Sequence, residues 1–163
     1  MVEISKLKKN LEMQFHMKDL GELKYLLGIE VIRSESGIYM LQKQYVTTVM
    51  EKYRMFGCKP IDVPLEKSCK FRADLRAKIT NVNVFRSMVG NLIYMTITRP
   101  YLSYAVGLVS QFMQQPTKPH LDCIRRILRY VKATQNCRLF CRADLDIELE
   151  GYTDADWNGS EID

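Results

Sequence analysis

Val84-Phe85-Arg86-Ser87-Met88-Val89-Gly90-Asn91-Leu92-Ile93-Tyr94-Met95 opens the stretch, running on to Lys132, whose reading decides the fold. Phe85, Met88, Val89, Leu92 and Thr96 recur at i, i+3, i+4 and i+7, the spacing that lines one side of an amphipathic helix. Arg99-Pro100 ends that helix, because proline disfavours helical geometry in the residue before it. A second apolar run spans Tyr101 to Met113 and stops at Gln114-Gln115-Pro116. The third helix begins near Thr117-Lys118-Pro119, where threonine suits the cap and proline the first turn. Leu121, Ile124, Leu128 and Val131 fall on one side of it, with Lys118, Arg125, Arg129 and Lys132 on roughly the opposite side. Three consecutive helices with a cationic outer wall predict a unit that holds a polyanion.

N-terminal to this block the pattern changes. Ile4, Leu7, Leu11 and Phe15 at turn spacing predict a helix over residues 2–15. Leu23–Ile32 and Ile38–Leu41, separated by Ser34-Glu35-Ser36-Gly37, read as a β-hairpin. Gly28 inside the first strand suggests a bulge or a close approach by another backbone. A helix from Lys43 to about Arg54 follows, with Tyr45, Val49 and Tyr53 on one side. Residues 66–83 are polar and weakly periodic, the pattern of a linker. Beyond the helices, Arg138–Arg142 and Ile147–Tyr152 read as two strands joined at Ala143-Asp144-Leu145-Asp146. The fold class is α+β.

The 163 residues are 47% hydrophobic and 26% charged, as in ordinary globular proteins. No apolar run reaches the ~18 residues of a membrane span, and Glu3, Lys6, Lys8 and Lys9 leave no signal-peptide core, so a cytoplasmic or nuclear location is expected. The five cysteines, Cys58, Cys69, Cys123, Cys137 and Cys141, include no C-x-x-C pair, which argues against zinc and against a disulfide framework. The net charge of +5 is unevenly divided. Residues 1–132 carry 22 Lys+Arg against 11 Asp+Glu, a net of +11, whereas residues 133–163 carry 2 against 8, a net of −6. A basic body suits an anionic partner, although a solvated cationic helix face is about as common a reason for such a pattern.

Other chemistry finds less support. Asp154 and Asp156 alternate at the end of a strand, where two carboxylates on one face could bind magnesium, but D-x-D is more often a solvated loop. There is no G-x-S-x-G, no cysteine with a persuasive histidine partner and no phosphate-binding glycine loop.

Several motifs gain meaning in combination. They are Met17-Lys18-Asp19-Leu20-Gly21-Glu22-Leu23-Lys24-Tyr25-Leu26-Leu27-Gly28, Gly37-Ile38-Tyr39-Met40-Leu41-Gln42-Lys43-Gln44-Tyr45 and Arg86-Ser87-Met88-Val89-Gly90-Asn91-Leu92. Thr98-Arg99-Pro100, Arg126-Ile127-Leu128-Arg129-Tyr130-Val131-Lys132 and Gly151-Tyr152-Thr153-Asp154-Ala155-Asp156-Trp157 follow. The set resembles the polyprotein of copia-type LTR retrotransposons, in the later part of its reverse transcriptase running into the start of ribonuclease H.

The resemblance covers essentially the whole chain and implies a layout. Residues 1–65 would be a palm remnant with the primer-grip hairpin, Leu27-Gly28 near its tip. Residues 66–83 would be a linker, 84–136 a three-helix thumb, and 137–163 the start of a truncated ribonuclease H-like unit. Asp154 would be a remnant carboxylate of an incomplete metal site. The intact family enzyme uses Mg2+; no bound cofactor is expected here, because the family's Tyr-Val-Asp-Asp hairpin does not occur in the sequence. The resemblance thus implies a fragment of an RNA-directed DNA polymerase without its fingers and the rest of its palm, catalytically inactive. It would bind an RNA–DNA or DNA duplex weakly and without sequence preference through Leu27, Gly28, Arg86, Lys118, Arg125, Arg129 and Lys132, and no membrane. The alternatives are a co-opted helical protein-interaction module and a residual metal-dependent nuclease. Phe85, Tyr101 and Ala133 depart from the family's usual tyrosine, aspartate and glycine. Alanine at 133 would be strained if the helix end there needs a left-handed backbone.

Overall fold

Apolar side chains at turn spacing bury themselves only where a second apolar surface meets them, and that condition divides this molecule. The computed structural model describes residues 2–66, 81–144 and 151. In order they form α1 (Val2–Phe15), β1 (Tyr25–Leu26), β2 (Ile29–Ser34), β3 (Gly37–Leu41), α2 (Lys43–Lys52), α3 (Val82–Met95), a 3-10 turn (Pro100–Leu102), α4 (Ser103–Ser110), α5 (Lys118–Ala133) and β4 (Leu139–Arg142). The expected strand at 147–152 falls outside the described residues apart from Gly151, as does most of the expected linker.

The core is helical. Val46, Val49 and Met50 of α2 pack with Phe85, Met88, Val89 and Leu92 of α3, Val106 and Val109 of α4, and Ile124, Ile127, Leu128 and Val131 of α5. The bundle therefore has four helices rather than the three expected. The extra one, α2, comes from the segment that the sequence reading grouped with the hairpin. Phe85 is fully buried, so its ring fills the core where the related pattern has tyrosine.

Helix ends follow local chemistry. Asn81 caps α3 by accepting from the Val84 N–H at 3.1 Å. α3 stops at Met95, before Arg99-Pro100. The β-branched run Thr96-Ile97-Thr98 favours helix poorly, and the Thr96 hydroxyl donates to the Ile93 carbonyl at 2.7 Å. The second apolar run is split, because Arg99 is held out of helical geometry before proline and the chain makes a 3-10 turn before α4. α5 starts at Thr117 as the sequence indicated, with Pro119 in its first turn. The Thr117 backbone N–H donates to Nδ1 of His120 at 3.1 Å, so the histidine fills the role that Glu or Gln plays in a capping box. α5 runs through Ala133 to a Thr134 cap, and Ala133 is not among the residues of positive φ. The alanine is therefore unstrained.

The sheet corrects the sequence reading twice. Leu23–Ile32 is not one strand. Leu26 pairs with Ile29, and between them Leu27 and Gly28 have φ of 51° and 90°, which is a two-residue hairpin turn. Gly28 is there for its left-handed backbone, not for a bulge. The second correction concerns β4, which pairs antiparallel with β3 and so completes a four-stranded sheet in the order β1-β2-β3-β4. The first of the two expected C-terminal strands thus joins the N-terminal hairpin. Gly37 makes this possible: a Cβ there would lie 2.2 Å from the Cys141 carbonyl oxygen. Tyr39 and Phe140, partners across the two strands, stack with centroids 4.5 Å apart.

Candidate nucleic-acid interface

The cationic residues of α5 lie outside its buried stripe, as the helical wheel requires, but folding uses several of them. Lys132 Nζ donates to the Phe56 carbonyl and to the Cys58 carbonyl, the latter at 2.7 Å. Arg129 Nε donates to the Lys59 carbonyl at 2.7 Å. The two side chains thereby pin the irregular 56–59 segment, whose carbonyls have no ladder to join. Arg125 pairs with Asp122 at 3.3 Å one turn earlier, both side chains more than half exposed. Arg126, which the sequence reading passed over, pairs with Glu66 at 2.6 Å and is 24% exposed. Lys118 is exposed in the first turn of the helix.

The remaining expected contacts lie elsewhere. Arg86 Nε on α3 donates to the Met113 carbonyl at 2.9 Å, tying α3 to the segment after α4. The Leu27-Gly28 turn docks on the bundle, where the Tyr94 hydroxyl donates to the Leu27 carbonyl and the Tyr45 ring would lie 3.4 Å from a Cβ on Gly28. Leu27 itself is 79% exposed. The hairpin tip thus docks against α2 and α3 rather than against α5, and among the described residues no hydrogen bond joins it to the α5 cations. Asp154, the possible metal ligand, lies outside the described residues.

One polar cluster is buried, which the motifs that contain its residues do not indicate. Gln42, Thr98 and Arg99 are buried where β3, the end of α3 and the end of α5 meet. The Gln42 amide donates to the Tyr94 carbonyl at 3.2 Å and its oxygen accepts from the Thr98 hydroxyl at 2.8 Å. Arg99 donates to the Thr98 hydroxyl at 3.2 Å and the Gln135 carbonyl at 3.4 Å. Its Nε has no partner, and burial pushes the guanidinium below its usual pKa. A charged residue at the end of an apolar helix normally predicts a surface, so the sequence, which marks Arg99 as a helix stop and as part of Thr98-Arg99-Pro100, gives no hint of its burial.

Residues 1–67 match the family model described as reverse transcriptase (RNA-dependent DNA polymerase). The chain is 39% identical over 154 residues to the retrovirus-related Pol polyprotein from transposon RE1 of Arabidopsis thaliana, covering 94% of this chain and 10% of that one. Over an alignment of 166 positions it is 36% identical to the corresponding polyprotein from transposon TNT 1-94 of Nicotiana tabacum, covering 96% of this chain and 12% of that one. An uncharacterized mitochondrial protein of Arabidopsis thaliana is 38% identical over 145 residues, 89% of this chain and 60% of that one. The chain thus spans about a tenth of the two polyproteins' length. No solved structure matches it. The chain is therefore homologous to a portion of retrotransposon Pol polyproteins, and its first 67 residues to reverse transcriptases.

Proposed function

We propose that these residues are the part of a copia-type reverse transcriptase that holds the primer-template, and that alone they catalyse no polymerisation. The cationic side of α5, standing on a sealed apolar core, carries the reading: Lys118 and Arg125 are exposed where phosphates can reach them. Leu27 and Gly28 at the docked hairpin tip would contact the primer strand in the same reading. Phosphate contacts carry no base information, so binding is sequence-independent and weakens with salt. Among the described residues no group of three or more His, Cys, Asp or Glu could hold a metal ion.

Fluorescence anisotropy with a labelled RNA–DNA hybrid at stepped salt concentrations tests this. Affinity should fall with a log–log slope of about −0.7 to −0.9 per neutralised phosphate, and equally for unrelated sequences. Charge reversal at Lys118 and Arg125 should abolish binding while leaving the circular dichroism unchanged. Lys132 is a poor test residue, because it also holds two carbonyls. No binding at low salt overturns the reading, as does primer extension by the purified chain with magnesium and nucleotides.

A protein-interaction role has one observation in its favour. Ile4, Leu7 and Phe15 of α1 are 60, 58 and 63% exposed, an apolar face with nothing on it among the described residues. No helix of the described residues is long and apolar enough to cross a membrane.

A further inference from the structure

The two-residue turn at the hairpin tip has positive φ at both positions, and its first position favours asparagine, aspartate or glycine. Leu27 stands there instead, at φ 51°, with 79% of its surface exposed. That choice is costly twice, once in a left-handed backbone for a bulky residue and once in apolar surface left in water. Such a conformation persists only where the surroundings hold it. Two tyrosines do so. Tyr94 of α3 donates its hydroxyl to the Leu27 carbonyl, while its own carbonyl accepts from the Gln42 side chain at 3.2 Å. Tyr45 of α2 backs Gly28, and its ring meets the Tyr94 ring edge-on with centroids 4.9 Å apart. Tyr45 is fixed in turn by a row of hydrogen bonds between α2 and α3. Its hydroxyl donates to Asn91 Oδ1 at 3.1 Å, Asn91 Nδ2 donates to the Tyr53 hydroxyl at 2.7 Å, and that hydroxyl donates to Ser87 Oγ at 2.9 Å. The row thus anchors the tip to two helices whose buried sides belong to the core.

We propose that Tyr94 is a positioning residue for the duplex site, holding Leu27 in the strained turn so that its apolar side chain is presented at one fixed place. A tip tied in advance loses little freedom when a strand arrives, whereas a loose one must be ordered on binding, which weakens affinity. The turn needs no leucine for its own stability, since asparagine suits that backbone better. The exposed leucine therefore serves what it touches rather than the hairpin. The inference rests on the reading of the hairpin tip as a primer-strand contact, and it adds the residue that sets the tip's position. Tyr94 acts through Leu27 and not by touching the duplex itself.

Nitrogen relaxation of the Leu27 and Gly28 amides in the full chain reads the tether, and fluorescence anisotropy with a labelled RNA–DNA hybrid reads its consequence. Tyr94→Phe keeps the ring against Tyr45 and removes only the hydroxyl. It should lower the order parameters of both amides and weaken hybrid binding about threefold to tenfold. Leu27→Asn should slow amide exchange in β1 and β2, because asparagine suits the turn, and yet weaken binding. The double variant decides between positioning and plain stabilisation. On the Leu27→Asn background, Tyr94→Phe should change affinity no further, because the side chain it positions is gone. The proposal falls if Tyr94→Phe leaves affinity unchanged while the unaltered chain binds, and the proposed function then stands. It falls also if Leu27→Asn binds as tightly as the unaltered chain, or if Tyr94→Phe weakens binding equally on both backgrounds. A chain that binds no hybrid at low salt overturns the proposed function itself, and the positioning role with it.

Discussion

The 14 residues of α1 and the 16 of α5 carry apolar side chains at the same turn spacing. Yet Ile4, Leu7 and Phe15 of α1 are 60, 58 and 63% exposed, whereas Ile124, Leu128 and Val131 of α5 are completely buried. The difference lies in what each stripe meets: α5 faces three other helices, while α1 is tied down by Lys8 reaching Asp19 at 2.7 Å. Periodicity states which side of a helix wants to be covered. It does not state whether the covering surface is at hand. Stability should therefore be concentrated in the bundle, and truncations at matched positions measure that directly. Leu128→Ala should cost about 3–4 kcal/mol in urea unfolding, through lost transfer energy and a cavity in a close-packed site. Leu7→Ala should stay within about 0.5 kcal/mol. A large effect at Leu7 would mean that α1 is covered after all, for instance by a second copy of the chain.

The sheet extends the comparison, since it is held by pairing rather than by a sealed core. Gly37→Ala places a methyl group against the Cys141 carbonyl on a residue whose φ is 152°. It should cost about 2–3 kcal/mol and release β4 from β3. Amide exchange should show the loss as faster exchange across Leu139–Arg142, with α3 and α5 unaffected. Exchange that quickens in the helices too would show that sheet and bundle unfold as one unit.

Within the bundle, a smaller effect separates capping from packing. His120→Ala removes the acceptor of the Thr117 N–H and a ring stacked on Phe112 at 3.9 Å. The expected loss is about 1–2 kcal/mol, with fraying confined to the first turn of α5. If helix content falls throughout α5, the histidine acts as a core side chain more than as a cap.

How far the sequence reached follows from the range of each interaction. The bundle was legible because Phe85, Met88, Val89 and Leu92 declare a buried face within two turns, and Thr117 with Pro119 declares a helix start. The pairing of β4 with β3 was not, because nothing within Leu139–Arg142 names a partner a hundred residues away in the chain. Leu27-Gly28 hid a hairpin turn, since leucine at positive φ gives no signal beside a glycine that fits a bulge equally well. For the cationic residues, the wheel placed Arg129 and Lys132 correctly on the outer side of α5. It could not show that the 56–59 carbonyls lie there to receive them. Arg126 was missed for the complementary reason: its carboxylate partner is 60 positions away.

The weakest element offers the most delicate prediction. Asp19 is exposed, and its pKa is lowered by the hydrogen bond from Lys8, then by the Gly21 N–H, which donates to it at 2.9 Å. A carboxylate with a depressed folded pKa adds stability above its unfolded value near 3.9, and that contribution disappears as pH falls through the lower folded value. The tie between α1 and the following turn should therefore persist at neutral pH and loosen only in acid. Carboxyl carbon NMR should show Asp19 titrating below the ordinary aspartate range, and Lys8→Met should move it most of the way back. Because the pair is exposed, this change should leave the urea midpoint of the bundle where it was. A bundle that weakens when Lys8 is removed would mean that α1 is coupled to the core by contacts other than the Lys8–Asp19 pair, and the division between the two regions would fail.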